Sequence, residues 1–177
     1  MLLSTINSGA FKFVLLLHLL AVIIGIGGVF LLGLYGREAE RLKGTEGQAV
    51  SETAVKVGDI AEYFIYAIPV FGIILLFMSK TGGTRVYWFD QTWVWLSLLI
   101  YIGAVSFTHA LHLPNLRAMN NLMAELNAGG PPPAGAAGAP PQVAELEERG
   151  KRAAMYGGIL NVIAVVLVLL MVWKPGL

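Results

Sequence analysis

Three histidines and one acid are the residues whose types and places best suit chemistry. His18 lies inside a long apolar run. Ala21, Gly25, Gly28 and Gly36 fall roughly on its helical face, with Gly33 close by. Small residues mark the side of a membrane helix that packs against a neighbour. His18 is therefore expected to point into a bundle. There it would be a neutral hydrogen-bonding group, a ligand to haem or metal, or a proton carrier. His109 and His112 are three residues apart, which puts both on one face of an α-helix, and Ser106 extends that face. Two imidazoles so placed can share a metal ion if further ligands join them. Glu62 is the only acid inside a predicted span, and Asp59 stands one turn before it. His109, His112 and Glu62 are thus the candidate metal set, a two-histidine, one-carboxylate pattern. Tyr63, Tyr66, Tyr156 and Asn161 are expected near the same level. The plainer alternative is a hydrogen-bonded cluster at the membrane surface with Arg37 and the acids.

Elements that could position these residues follow from composition. The chain has 177 residues, 56% hydrophobic and 13% charged. A soluble domain carries about 25% charged residues, so half that number must leave large apolar surfaces uncovered. The charges also stand in blocks, separated by charge-free runs. Those facts exclude an ordinary soluble globule and a disordered chain. Cysteine is absent, which excludes disulfides, iron–sulfur clusters and thiol catalysis. A net charge of +1 argues against nucleic acid as a partner. The partner that fits is the lipid bilayer.

A span needs about 20 apolar residues. Four segments qualify, at about 13–35, 62–78, 92–113 and 155–173. The fold class is therefore all-α, a four-helix membrane bundle in one domain. Continuous rather than alternating apolar runs argue against a barrel. Lys12 before the first run resembles a signal peptide. The run is too long for one and no small-residue cleavage pattern follows, so the helix is expected to be retained. Pro69 lies in the middle of the second span and should kink it, with Gly72 a turn later.

With four spans, both termini and the 79–91 loop lie on one side, with Lys12, Lys80, Arg85 and Lys174. Arg37, Arg41, Lys43, Lys56, Arg117, Arg149, Lys151 and Arg152 lie on the other. The side with more basic residues should be cytoplasmic, so both termini are expected outside a bacterial plasma membrane. Tyr87, Trp88, Phe89, Trp93, Trp95 and Trp173 would mark the outer interface, and Tyr35, Tyr63, Tyr66 and Tyr156 the inner one. Arg37–Lys43 should prolong the first helix until Gly44 and Gly47 break it, and 48–59 should lead into the second. Leu116, Met119, Leu122, Met123 and Leu126 recur at helical spacing. They predict an amphipathic helix on the membrane or on a neighbour. A Gly/Ala/Pro linker at 129–141 should be extended and mobile. Glu145–Arg149, Glu147–Lys151 and Glu148–Arg152 are i,i+4 pairs that support a helical approach to the last span.

Depth constrains the haem idea. His18 lies about 6 residues inside its span, about 9 Å, and His109 about 17 residues inside a parallel one, about 26 Å. That gap of about 17 Å argues against one iron shared by both, so two separate sites are expected.

The order Lys12-x5-His18, then Gly25, Gly27, Gly28 and Gly33, a charged exit at Arg37-Glu38, and Leu113-Pro114-Asn115-Leu116-Arg117 has a counterpart. Over about residues 11–120 it resembles small four-helix bacterial integral membrane proteins of unassigned function, related to CopD-like and HemJ-type proteins. Through that resemblance His18 matches a histidine implied in haem binding, and a b-type haem or transition metal is the implied cofactor. The HemJ type carries an essential Lys in a later helix. The stretch Trp93–Leu113 has none, which argues against protoporphyrinogen oxidation. The CopD-like side implies copper handling, without a cysteine or a dense Met/His cluster to support it.

Three readings follow. The first is a haem- or metal-binding, redox-linked membrane protein centred on His18. The second is a non-enzymatic accessory subunit of a larger membrane complex, against which a homo-oligomer, the other expected partnership, would count. The third is a small transporter or proton-conducting bundle lined by Glu62, His18, His109 and His112.

Overall fold

The computed structural model describes residues 5–42, 44–128 and 141–176. Its helices are α1 (Gly9–Leu42), α2 (Gly44–Met78), α3 (Thr92–Phe107), α4 (Leu113–Ala128) and α5 (Pro141–Trp173). A π-helical turn, Thr108–His112, joins α3 to α4. A small antiparallel hairpin, β1 (Lys80–Thr81) and β2 (Thr84–Arg85), separates α2 from α3. Four rods are long and apolar enough to cross a membrane: α1, α2, α3 continued through α4, and α5. The protein is an all-α, multi-pass helical bundle. Most of the linker expected at 129–141 lies outside the described residues, as does Lys43. Pro141 opens α5, where a missing amide proton costs the helix nothing.

α1 has 34 residues, about 51 Å of rise, against about 30 Å of hydrocarbon. The surplus is the polar extension that the charge block at 37–41 requires. Gly44, with φ +54°, turns the chain straight into α2. Gly47 lies inside α2, where a Cβ would stand 2.4 Å from the Ala39 carbonyl oxygen. Gly44 therefore breaks the helix as expected, whereas Gly47 lets the two arms close.

Along the membrane the same arms meet through small residues. A Cβ on Gly28 would sit 2.7 Å from the Ala61 Cβ, and one on Gly25 would sit 3.0 Å from the Ile65 nitrogen. His18, Ala21 and Gly25 are the buried residues of this face, which matches the first part of the stripe read from the sequence; Gly33 and Gly36 are exposed, and a Cβ on either would meet nothing within 4 Å. Small residues allow this approach because close backbone packing, rather than escape from water, holds helices together in lipid.

α5 packs along α3 and α4 and touches α1. Leu160 is the one buried apolar side chain of its described residues. Val162, Val172 and Trp173 stand wide open, as lipid-facing residues should.

α4 packs rather than floats. Buried Asn115 donates from Nδ2 to the Arg149 carbonyl of α5 at 2.9 Å. On the α2 side, Ser51 donates to Asn120 at 2.6 Å and Asn127 to Gln48 at 2.6 Å. The amphipathic helix therefore braces the extensions of α2 and α5.

The opposite end is knitted by backbone-directed polar groups. Ser79 is fully buried and its Oγ lies 2.7 Å from the Leu76 carbonyl and 2.8 Å from that of Tyr87. Gln91 donates to the Val86 carbonyl and accepts from the Trp93 indole at 3.0 Å. The Ile6 amide donates to the Lys80 carbonyl, and Lys174 donates to Tyr87. Residues 5–6, residue 174 and the hairpin thus share one end, as four spans require.

Candidate functional site

α2 carries two polar stations. At the first, His18 of α1 is buried, and its Nδ1–H donates to the Ile68 carbonyl of α2 at 3.0 Å. A carbonyl only accepts, so Nδ1 holds the proton and, in neutral imidazole, Nε2 holds the lone pair. Gly72 makes room for the ring: a Cβ there would lie 3.3 Å from His18 Cε1. Pro69 stands between these contacts. It has no amide proton, so the Ile65 carbonyl one turn earlier loses its helical partner. Tyr101 of α3 supplies the replacement, donating from Oη at 3.2 Å. The proline is thus a point where two neighbouring helices hydrogen-bond to α2 backbone.

The second station lies one to two turns along α2. Tyr66 Oη donates to Glu62 Oε1 and lies 2.8 Å from His109 Nε2. His109 Nε2 is 3.1 Å from the same Glu62 oxygen. Its Nδ1–H donates to the Val105 carbonyl at 2.9 Å, which fixes that proton away from the cluster. Three atoms therefore form a closed triangle. One phenolic proton can bridge only one of its edges. A second proton, on His109 Nε2 or on Glu62, bridges another. The cluster is also part-open, since the His109 and Glu62 side chains are 46% and 34% exposed. Asp59, Glu62, Tyr63 and Tyr66 line a cleft of about 220 Å³ beside it.

The π turn explains why only one of the paired histidines is here. The Leu113 amide bonds back to the Thr108 carbonyl, five residues away. A π turn winds more residues per turn, so residues three apart no longer share a face as they do in an α-helix. His109 faces α2. His112 instead packs edge-on to Tyr156 of α5, with ring centroids 6.3 Å apart. Its Nδ1 is buried and unpartnered, as is Oδ1 of Asn161. The expectation that His109 and His112 share one face is corrected on this point. Pro114 accounts for the distortion, because its ring would press on the Ala110 carbonyl of a regular helix.

Of the candidate metal set, the fold brings Glu62 and His109 together and sends His112 elsewhere. Among the described residues, no three His, Cys, Asp or Glu side chains gather as metal ligands. Arg37 lies with Leu34, Glu38 and Arg41 in a separate groove. Six residues separate Ile68 from Glu62 on α2, about 9 Å of rise. The two stations are nearer than span arithmetic gives, and still far beyond the span of two metal–nitrogen bonds of about 2 Å. Tyr101 and Tyr66 are the partners that sequence reasoning missed or left unassigned. Only Pro69, which frees a carbonyl, gave a signal for the first.

No family model matches the chain, and no curated protein and no solved structure shows significant similarity to it.

Proposed function

We propose that the chain is a redox-linked integral membrane protein that takes a b-type haem at His18. One observation carries this reading. The His18 imidazole is buried and pinned through Nδ1–H to the Ile68 carbonyl, which leaves Nε2 as the electron-pair nitrogen. Metal-bound histidines are oriented in this way by a carbonyl or carboxylate on the other nitrogen. The donor set favours haem over a bare ion. Haem brings four nitrogens and needs a single protein histidine, as in globins and peroxidases, whereas a bare ion needs three or four side chains. Among the described residues, His18 belongs to no group of three or more acidic, cysteine or histidine side chains. When bound, haem would supply one-electron chemistry. The chain supplies a fixed imidazole and a glycine-walled seam.

The test is spectroscopic. Protein purified in detergent from haem-replete cells should show a Soret band, and His18→Ala should lose it at equal helicity. A colourless wild-type preparation that also fails to take up added haem would overturn the reading.

A second reading rests on the triangle of Glu62, Tyr66 and His109. It is a proton-exchanging cluster within a proton-handling membrane protein, without need of a cofactor. Glu62→Gln and Tyr66→Phe should each slow proton movement into dye-loaded vesicles carrying the protein. Equal rates in wild type and both variants would remove it.

For orientation, we infer that the hairpin end faces outward, from the excess of Lys and Arg at the other end. The cysteine-free sequence allows a clean check. A Thr84→Cys variant should react with an impermeant thiol reagent in intact cells, and Thr53→Cys should not.

A further inference from the structure

The hairpin end presents two cations in a place that calls for an anion. Gly82 and Gly83, with φ +57° and +88°, form the two-residue turn, and Thr81 pairs with Thr84. The next cross-strand pair is Lys80 with Arg85. Like charges directly opposite one another destabilise a hairpin. This hairpin nevertheless builds them in. Among the described residues, no carboxylate lies within ion-pair distance of either, although Asp90 stands in the same loop.

Arg85 is also presented. Its guanidinium carbon lies 3.5 Å above the Trp88 ring centre and 6.0 Å from that of Phe77. A guanidinium stacked on a ring uses its face. Its N–H donors run outward along the edge, in the fork that suits a phosphate or carboxylate. Arg85 is exposed, and its side chain makes no hydrogen bond to the described residues. Lys174, by contrast, is occupied by the Tyr87 hydroxyl and the faces of Tyr87 and Trp93. The platform beneath Arg85 is firm: Ser79 and Gln91 tie the hairpin to the loop, and Trp88 packs edge-on to Phe77 and Phe89.

We propose that Arg85 and Lys80 bind the phosphate of an anionic phospholipid headgroup. Arg85 takes it through its fork and Lys80 supplies the second charge. A lipid source is favoured over free phosphate because the cations border an apolar ledge. Phe77 and Phe89 are exposed beside them and pack on Trp88, a ring type enriched at membrane interfaces. Free phosphate would leave that ledge unused.

The test is lipid retention by native mass spectrometry. Protein is equilibrated in detergent micelles with equal phosphatidylglycerol and phosphatidylcholine. Wild type should keep phosphatidylglycerol selectively. Lys80→Gln and Arg85→Gln should each weaken retention about five-fold, from the attraction of one cation to an anionic lipid surface. Arg85→Lys should fall between, since it keeps charge and loses the fork. Arg85→Glu separates binding from folding. It places an opposite charge across from Lys80, which should firm the hairpin while abolishing the selectivity. Undiminished selectivity in Arg85→Glu would overturn the proposal. So would loss of bound phosphatidylglycerol from wild type on adding millimolar inorganic phosphate, which would assign the site to free phosphate instead.

Discussion

α2 makes two seams, and they are built in opposite ways. Against α1 the backbones come close enough that a Cβ on Gly28 would overlap Ala61, and the seam holds His18, bonded to one carbonyl. Against α3 and the π turn the contact is made by long polar side chains. Tyr101 reaches Ile65, and Tyr66 and Glu62 meet His109. The first seam buries its polar group, and the second leaves its groups part-exposed. A close seam favours a rigid, singly bonded group of fixed tautomer. A wide seam allows several groups to converge. Sites of the two kinds can stand on one helix because small residues occupy one of its faces and aromatic and acidic residues another.

The comparison breaks most readily at Gly28. Gly28→Leu should force α1 from α2 and lower unfolding free energy in detergent by about 3 kcal/mol, the upper end for overpacking. Gly27, where a Cβ would meet nothing within 4 Å, is the control, and Gly27→Leu should be nearly neutral. Equal losses at both positions would mean that the stripe is not the seam.

Tyr101→Phe comes next. Pro69 deprives the Ile65 carbonyl of its helical donor, so removing the hydroxyl leaves a part-buried acceptor without a partner, at about 1–3 kcal/mol. In a Pro69→Ala background position 69 regains an amide proton, and the same change should cost close to nothing. That double-mutant cycle tests the cause rather than the contact. Additive losses would show that Tyr101 acts by packing alone.

The sequence is legible where burial has a period. Apolar runs located the four spans. The glycine stripe through Ala21, Gly25 and Gly28 located the close seam, and the i,i+4 pairs located the approach to the last span. Charges across 37–41 and 145–152 revealed that helices outrun the bilayer. Hydrogen-bond register was not legible. Pro114 signals a disturbance, but whether a helix kinks, ends or takes an extra residue into one turn depends on packing from α2 and α5. That choice separates His109 from His112. His18 was legible as inward-facing, and its partner was not, because any carbonyl on α2 would serve equally in the sequence. The hairpin escaped notice as well. Gly82-Gly83 signals a turn, but strands of two residues give no alternation to read.

Tyr66→Phe probes the wide seam. Glu62 and His109 keep their direct contact at 3.1 Å, and the site is part-exposed. The expected stability change is therefore small, about 0.5 kcal/mol or less. A loss of 2 kcal/mol or more would show that the triangle is a structural clamp like His18, and the contrast between the seams would fail.

The smallest effect is expected outside both seams. Glu147 pairs with Lys151 at 2.8 Å along one exposed helical face, and this bond holds its carboxyl below the usual range. A depressed folded pKa gives stabilisation that is present above the unfolded carboxylate's pKa and is lost as pH falls through the folded value. The sign therefore predicts a weaker pair in acid. Its size follows from exposure: both side chains are about seven-tenths open, so water and salt screen the attraction. Glu147→Gln should leave the melting midpoint unchanged within error at neutral pH and in acid alike. A midpoint lowered by the same amount at neutral pH and in acid would place Glu147 in a packed contact. The extension would then be a third seam, and the division of labour on α2 would have to include it.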